Sequence, residues 1–343
     1  MKNWIKVGVF ACAAAMSTFT QAETDAPVAI VIHGGAGTIL KENMTPELEA
    51  AYLAKLEEAV RHGHSLLKAG EPGEKAVIET IQILETSPLF NAGIGAVYTF
   101  DGEHELDASI MHGGTLNAGA VAGVKTIRSP IAAASAVMNH SPHVMLSGRG
   151  AEIFAESQGM TPVDNSLFDT KRRKDALDRA KARMKTAGIT HGGQQGNERF
   201  GTVGAVVLDA DGNLVAGTST GGMTAKRFGR IGDSPVIGAG TWADNTSCAV
   251  SATGHGEYFI RYHVAADICS RMKYQGVSLE EAADTVINGV LADVGGDGGI
   301  IAVDGKGNIA APFNSAGMYR AKIDANGNVS VGIYGEWDER LTP

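Results

Sequence analysis

Three cysteines in 343 residues are too few for a disulfide-built fold or a cysteine-ligated zinc site. Cys12 lies near the start, and the other two, Cys248 and Cys269, read as buried free thiols, a single disulfide being the alternative in an oxidising compartment. Positive charge is also in deficit, with 29 basic against 38 acidic residues and a formal charge of −9. That balance excludes nucleic acid as a partner, because phosphates demand a basic surface. The N-terminal apolar run, Val7 to Met16, has ten residues where a membrane span needs about 20. Aromatic residues make up only 6%, while glycine is abundant at 45 residues, a balance that indicates tight turns and close backbone approaches rather than low complexity. At 44% hydrophobic, the chain can bury the core of one large domain or two ordinary ones.

Lys2 and Lys6, the apolar run and the small-residue exit Thr20, Gln21, Ala22 form the three-part pattern of a secretory signal over residues 1–22. Phe10, two residues before Cys12, is bulky where a lipidated cysteine needs a small residue. The expected mature chain is exported, periplasmic or secreted, with no membrane attachment once the signal is removed. It keeps 27 basic and 38 acidic residues, a formal charge of −11.

Residues 27–32 form an apolar run ending in a glycine turn at His33 to Gly37, which reads as a buried strand. Helical spacing covers 45–69 and 73–85, then 130–139, 144–158 and 171–186; strand signals fall at 95–100, 105–111 and 118–126. Residues 187–201 are Gly-rich and polar, the pattern of a mobile linker. Further on, Asp209 to Asn213, Asp304 to Asn308 and Asp324 to Asn328 share one design, Asp, two variable residues, Gly and Asn, between alternating apolar strands. These are hairpin turns rather than calcium loops, since no twelve-residue ligand series with a closing Glu follows. Helices are expected over 258–274 and 279–293.

The first of these turns fixes a register. Centred on Asp211, it sets positions that sum to 422 opposite each other, so Thr202 faces Thr220 while Ser219 points to the other side. Opposed residues place their Cβ atoms about 4.5–5.5 Å apart. A threonine pair is ordinarily a cross-strand contact and no more. Thr202, however, follows a cleavable linker, and a threonine hydroxyl needs a base. A free α-amine on the same residue, with a pKa of about 7.7–8.0, supplies one, and it exists only after the 201–202 bond is cut. Attack of the Thr202 hydroxyl on the Gly201 carbonyl, acyl shift to an ester and hydrolysis would make that cut; Gly201 offers no side chain to obstruct it.

Gly201 to Val206, Thr218 to Thr224 and Gly229 to Pro235 closely resemble the plant-type L-asparaginases, or isoaspartyl peptidases, of the N-terminal nucleophile hydrolases. The match extends through the His33 to Gly37 turn and the segments Leu84 to Gly95, His104 to Ser109, Ser251 to Glu257 and Pro312 to Arg320. The resemblance implies an α+β fold, a four-layer αββα sandwich, in which residues 23–201 and 202–343 form two subunits of one folded domain. It implies Thr202 as nucleophile, with Thr220 hydrogen-bonded beside it, and Thr218 and Asn91 in support. It makes Arg230 the clamp on a substrate α-carboxylate, Asp233 the holder of the α-ammonium, and Thr253 and Gly254 the oxyanion donors. The carbonyls of Leu84, Glu85, Ser87, Phe90, Ala92 and Ile94 are similar to the family's sodium loop; no cofactor is expected for the chemistry. Small-molecule and dipeptide substrates, and a homodimer of cleaved protomers, follow from the same resemblance. Glycosylasparaginase-like activity is a less favoured variant. Two features depart from the pattern: the linker carries no motif, and Lys226, Arg227 and Phe228 form a basic, bulky approach to Arg230.

Two rivals remain. Gly217 to Gly221 satisfies the nucleophile-elbow pattern around Ser219, with Asp244 and His255 following in order, but the glycines after Ser219 would not form the helix an elbow requires. An exported amino-acid-binding protein would use Arg230 and Asp233 without chemistry. By itself, that pair reads as a surface ion pair of little energetic value.

Overall fold

The computed structural model describes residue 1, residues 27–187 and residues 201–340. Residues 2–22 of the expected signal segment and 188–200 of the expected linker lie outside the described residues. Helix α1 (Pro46–Lys68) begins where Thr45 accepts from the Leu48 N–H, with Pro46 at the first position and Glu47 and Glu49 in the first turn. It is followed by α2 (Gly73–Glu85), α3 (Pro130–His140), α4 (Gly148–Ser157), α5 (Lys171–Ala187), α6 (Gly256–Tyr262), α7 (Val264–Gln275) and α8 (Leu279–Asp284), the last running into a π-helical turn at Thr285–Leu291.

The fold is mixed α/β with two sheets among the described residues. Strands β1 (Ala29–Gly37), β2 (Leu106–His112), β3 (Ala118–Val124), β4 (Met145–Ser147), β5 (Val203–Leu208) and β6 (Leu214–Thr220) belong to the larger sheet. Strands β7 (Thr241–Ala243), β8 (Cys248–Gly254), β9 (Gly298–Asp304) and β10 (Ile309–Ala310) make the smaller one. The chain then returns to the larger sheet through β11 (Gly317–Ile323), β12 (Val329–Gly332) and β13 (Asp338–Arg340). The larger order is β13-β12-β11-β1-β5-β6-β2-β3-β4, antiparallel except for the β3–β4 pair. Central β1 thus lies between β11 and β5, far from its sequence neighbours.

The two-residue period of a strand explains the continuous apolar runs. Ile30 and Ile32 of β1 pack with Leu56 and Val60 of α1 and with Val77 and Ile81 of α2. Ala29 and Val31, on the other face, pack with Ala249 of β8 and Ile301 and Val303 of β9. The remaining face of the smaller sheet, Val250, Ala252, Ile300 and Ala302, meets Ile268 of α7 and Ala283 of α8. Each fully buried valine or isoleucine contributes about 1.5–3 kcal/mol.

All three Asp-x-x-Gly-Asn segments are turns in which the Asp Oδ1 accepts from backbone N–H groups two and four residues on. Four local expectations are corrected. Residues 95–100 form no strand beyond a single bridge between Thr99 and Lys226, because this stretch bonds to a loop rather than to a sheet edge. The 144–158 stretch divides into β4 and α4 at Gly148, whose φ of 50° only glycine adopts freely. The 258–274 stretch breaks at left-handed His263 between α6 and α7. The glycines after His33 do not end β1; the strand runs to Gly37 with a bulge between His33 and Gly35.

Cys248 and Cys269 are also corrected: they form a disulfide joining β8 to α7 across 21 residues of sequence. Closing a loop of this size stabilises a fold by about 3 kcal/mol. Replacing both cysteines with serine is therefore expected to lower unfolding free energy by about that amount, measured by urea denaturation of the oxidised protein. A change under about 0.5 kcal/mol would mean that the bond contributes nothing.

Candidate active site

Val203, Ala205 and Val207 face the core under α1 and α2, so Thr202 and Gly204 take the face toward the smaller sheet. The hairpin has the expected register, Val203 opposite Ser219 and Gly204 opposite Thr218. One step further, the Thr202 and Thr220 hydroxyl oxygens lie 3.0 Å apart, both buried. The Gly222 N–H donates to Thr220 Oγ1 at 3.0 Å, which leaves one lone pair and the hydrogen of that hydroxyl for its contact with Thr202, where either oxygen can donate.

Gly201 is fixed from two sides. Its carbonyl accepts from the Asn91 N–H at 2.8 Å. A Cβ on Gly35, where φ is +111°, would lie 2.3 Å from Gly201 Cα, so the bulged strand and the residue before Thr202 touch through two glycines. Asn91 binds the facing loop as well: its carbonyl accepts from the Gly221 N–H at 3.0 Å, Nδ2 donates to Gly222 O at 2.7 Å, and Oδ1 accepts from the Val97 N–H at 2.8 Å. Its side chain thus orders the loop after Thr220, and its backbone holds the Gly201 carbonyl.

Below the threonine pair, a polar chain joins the sheets. His33 Nδ1 donates to Thr202 O at 3.0 Å, since a carbonyl only accepts, and Nε2 lies 3.0 Å from Ser251 Oγ. Ser251 reaches Thr218 at 2.7 Å, Thr218 reaches Thr241 at 2.5 Å, and Ser109 donates to Thr241 at 2.8 Å. Burial lowers the His33 pKa to about 3, outweighing its bond to the Thr202 carbonyl, so the ring is neutral near pH 7. Thr218 is therefore a member of this joint between sheets. Thr253, buried on β8, accepts through Oγ1 from the Ala36 N–H at 3.2 Å, which sets Thr253 beside the glycine bulge that meets Gly201, while Gly254 ends β8 opposite Gly298.

Arg230 and Asp233 lie on the loop after β6. Asp233 is buried, its Oδ2 has no hydrogen-bond partner among the described residues, and burial raises its pKa to about 7 against the pull of Arg230. The reading of the two as a surface ion pair is corrected. Arg230 donates instead to both Glu257 oxygens, through Nε to Oε1 and Nη2 to Oε2, each at 2.9 Å. Burial pushes the Glu257 carboxyl up, but these bonds and the Arg230 charge leave it below the ordinary range. Lys226 is not part of an exposed approach either. It is buried, donating to Glu105 O at 2.8 Å with Asp107 Oδ2 3.9 Å away, while Phe228 remains outside at 83% exposure.

Four residues near the site carry no assigned role in the sequence reading: His33, Asp107, Ser251 and Glu257. Asp107 opposes Thr220 from β2, and Asp107 with Ser109 interrupts an apolar strand at alternate positions, which is the readable sign of a polar face turned inward. The serine-hydrolase constellation does not assemble. Ser219 Oγ donates to Glu85 Oε1 at 2.7 Å on the opposite face, Asp244 accepts from Thr246 and Lys273, and His255 faces Glu257 and Asp297.

A paired hydroxyl, an adjacent held carbonyl, and an arginine with a buried carboxylate are the parts of a hydroxyl-nucleophile hydrolase site. A family model described as asparaginase matches residues 26–333, and the chain belongs to that family. It is 52% identical over 309 residues to an isoaspartyl peptidase of Salmonella typhimurium, an alignment covering 90% of this chain and 98% of the relative. An isoaspartyl peptidase of Escherichia coli is 51% identical, covering 90% and 96%. A putative isoaspartyl peptidase/L-asparaginase of Dictyostelium discoideum is 43% identical, covering 89% and 98%.

Proposed function

We propose that the chain cuts its own 201–202 bond and then hydrolyses the side-chain amide of L-asparagine and the isopeptide bond of β-aspartyl dipeptides. The observation that carries this reading is the 3.0 Å hydroxyl pair of Thr202 and Thr220 beside the Asn91-held Gly201 carbonyl. In maturation, the Thr202 oxygen adds to the Gly201 carbonyl carbon, the C–N bond breaks as the acyl group shifts to oxygen, and water releases a Gly201 carboxylate and a Thr202 amine. In turnover, that amine takes the Thr202 hydroxyl proton, the oxygen attacks the substrate amide carbon, and the proton passes to the departing ammonia or amino acid. Thr220 orients the attacking oxygen, Thr253 and Gly254 hold the oxyanion, and water hydrolyses the β-aspartyl ester to return the free threonine. Arg230 grips the α-carboxylate and Asp233 the α-ammonium. Purified protein should release ammonia from asparagine and free aspartate from a β-aspartyl dipeptide; turnover of neither would contradict the reading.

The raised Asp233 pKa gives the reaction a pH signature. The carboxyl is protonated below about 7, where it no longer attracts an ammonium, and an α-amine, whose ordinary pKa is about 7.7–8.0, is protonated there too. The slope of log kcat/KM against pH is thus expected to approach about two below pH 7 and to fall to about one in Asp233→Asn. Equal slopes in both proteins would remove Asp233 from binding.

The core clusters support a four-layer αββα reading, with α1 to α3 over one sheet and α7 and α8 over the other. A sodium loop at residues 84–94 is part of the same proposal. Cβ atoms on Gly93 and Gly95 would lie 2.2 Å from Glu85 O and 2.0 Å from Phe90 O, so carbonyls fold back onto bare glycines; the Glu85 side chain is occupied elsewhere, by Ser129, Ser219 and the Ile131 N–H. Leu84, Glu85, Ser87, Phe90, Ala92 and Ile94 would hold the ion by carbonyl oxygen, and it would stiffen the loop that carries Asn91. Lower thermal stability in tetramethylammonium than in sodium is the expected result; equal stability would argue against the ion. The disulfide favours an oxidising compartment and so the exported, periplasmic or secreted location; dimerisation of cleaved protomers remains part of the proposal.

A further inference from the structure

A guanidinium offers two edges that can each hold a carboxylate, Nε with Nη2 and Nη1 with Nη2. In Arg230 the first edge is taken by Glu257, both bonds at 2.9 Å. Two glycines pack against the guanidinium where a side chain would collide with it: a Cβ on Gly232 would lie 2.8 Å from Nη1, and one on Gly256 2.8 Å from Nη2. Asp233 Oδ1 is also 2.8 Å from that Gly256 position, and its Oδ2 is buried with no hydrogen-bond partner among the described residues. Among the described residues Arg230 bonds only through its first edge, and its Nη2 and the Asp233 carboxylate both lie against Gly256.

We propose that Glu257 is a positioning residue: by occupying the outer edge of Arg230 it locks the guanidinium plane so that the inner edge meets the substrate α-carboxylate next to Asp233. Arg230 extends from a loop, and its long side chain would otherwise sample many rotamers, so fixing the fork in advance lowers the cost of binding. His255 Nε2 lies 3.3 Å from Glu257 Oε2, the oxygen that also accepts from Arg230 Nη2. Glu257 touches neither the threonine pair nor Gly201 in any bond the structure shows, so its effect belongs to binding rather than to bond breaking. As a half-exposed pair, with Glu257 at 47% and Arg230 at 18%, it contributes little to stability.

The inference rests on the proposed role of Arg230, and steady-state kinetics with asparagine tests both separately. Glu257→Ala is expected to raise KM about tenfold with kcat changed less than about threefold, with self-cleavage and thermal stability retained. Glu257→Gln, isosteric and still able to accept one bond, should recover part of that loss. An unchanged KM in both variants overturns the inference, as does a lowered one, which would make Glu257 a competitor for Arg230. Arg230→Lys, assayed alongside, separates the readings: if it raises KM while the Glu257 variants do not, only the positioning role fails, and if it too leaves KM unmoved, the Arg230 assignment itself fails.

Discussion

Thr202→Val is expected to leave the chain in one piece and to lower turnover of asparagine by at least about 10⁴-fold. Valine keeps the β-branched shape that fits the buried position facing Thr220, so the fold should persist. What disappears is the oxygen that attacks Gly201 and, since no cut follows, the amine that would serve as base. One substitution thus removes nucleophile and base together, and effects of residues acting as a unit do not add. Gel electrophoresis and ammonia release measure the two consequences. Cleavage that persists in the valine protein would transfer self-processing to another group; uncut protein with full turnover would transfer catalysis.

Arg230→Ala is expected to act on the opposite side of the same chemistry, raising KM for asparagine about 10²- to 10³-fold, the usual result of truncating one partner of a desolvated charge pair. The guanidinium meets Glu257 and the space beside Asp233, and no bond joins it to Gly201 or Thr202, so the purified variant should still be cut. Steady-state kinetics and a denaturing gel check both halves. A KM shift under about threefold would mean that the α-carboxylate is bound elsewhere.

Much of this site is legible in the sequence because one short turn determines it. Asp209 to Asn213 fixes the hairpin, the hairpin fixes the register, and the two-residue period then assigns Thr202 and Thr220 to one face and Ser219 to the other. The same alternation explains the doubly buried runs of β1 and β5. Local pattern does not reveal partners distant in the chain. Nothing near Ala29 indicates that β1 will lie between β5 and β11, and nothing near Cys248 indicates that α7 will bring Cys269 against it. Residues 95–100 have a strand-like composition but face a loop, where there is no ladder to join. Glu257 is inconspicuous as one acidic residue among many until the fold brings its carboxylate onto Arg230. His33 is similar: its glycine-rich surroundings suggest a turn, and only the pairing of β1 with β5 brings its ring under the Thr202 carbonyl.

The central claim is that the working nucleophile stands at a chain end the protein makes for itself. N-terminal sequencing of the smaller fragment from purified, active protein tests it most directly. The expected reading is Thr-Val-Gly-Ala-Val, from Thr202 to Val206, on a fragment of about 15 kDa beside a partner of about 19 kDa, scaled from 35.6 kDa over 343 residues. A fully active single polypeptide, or a fragment beginning at any other residue, would contradict it.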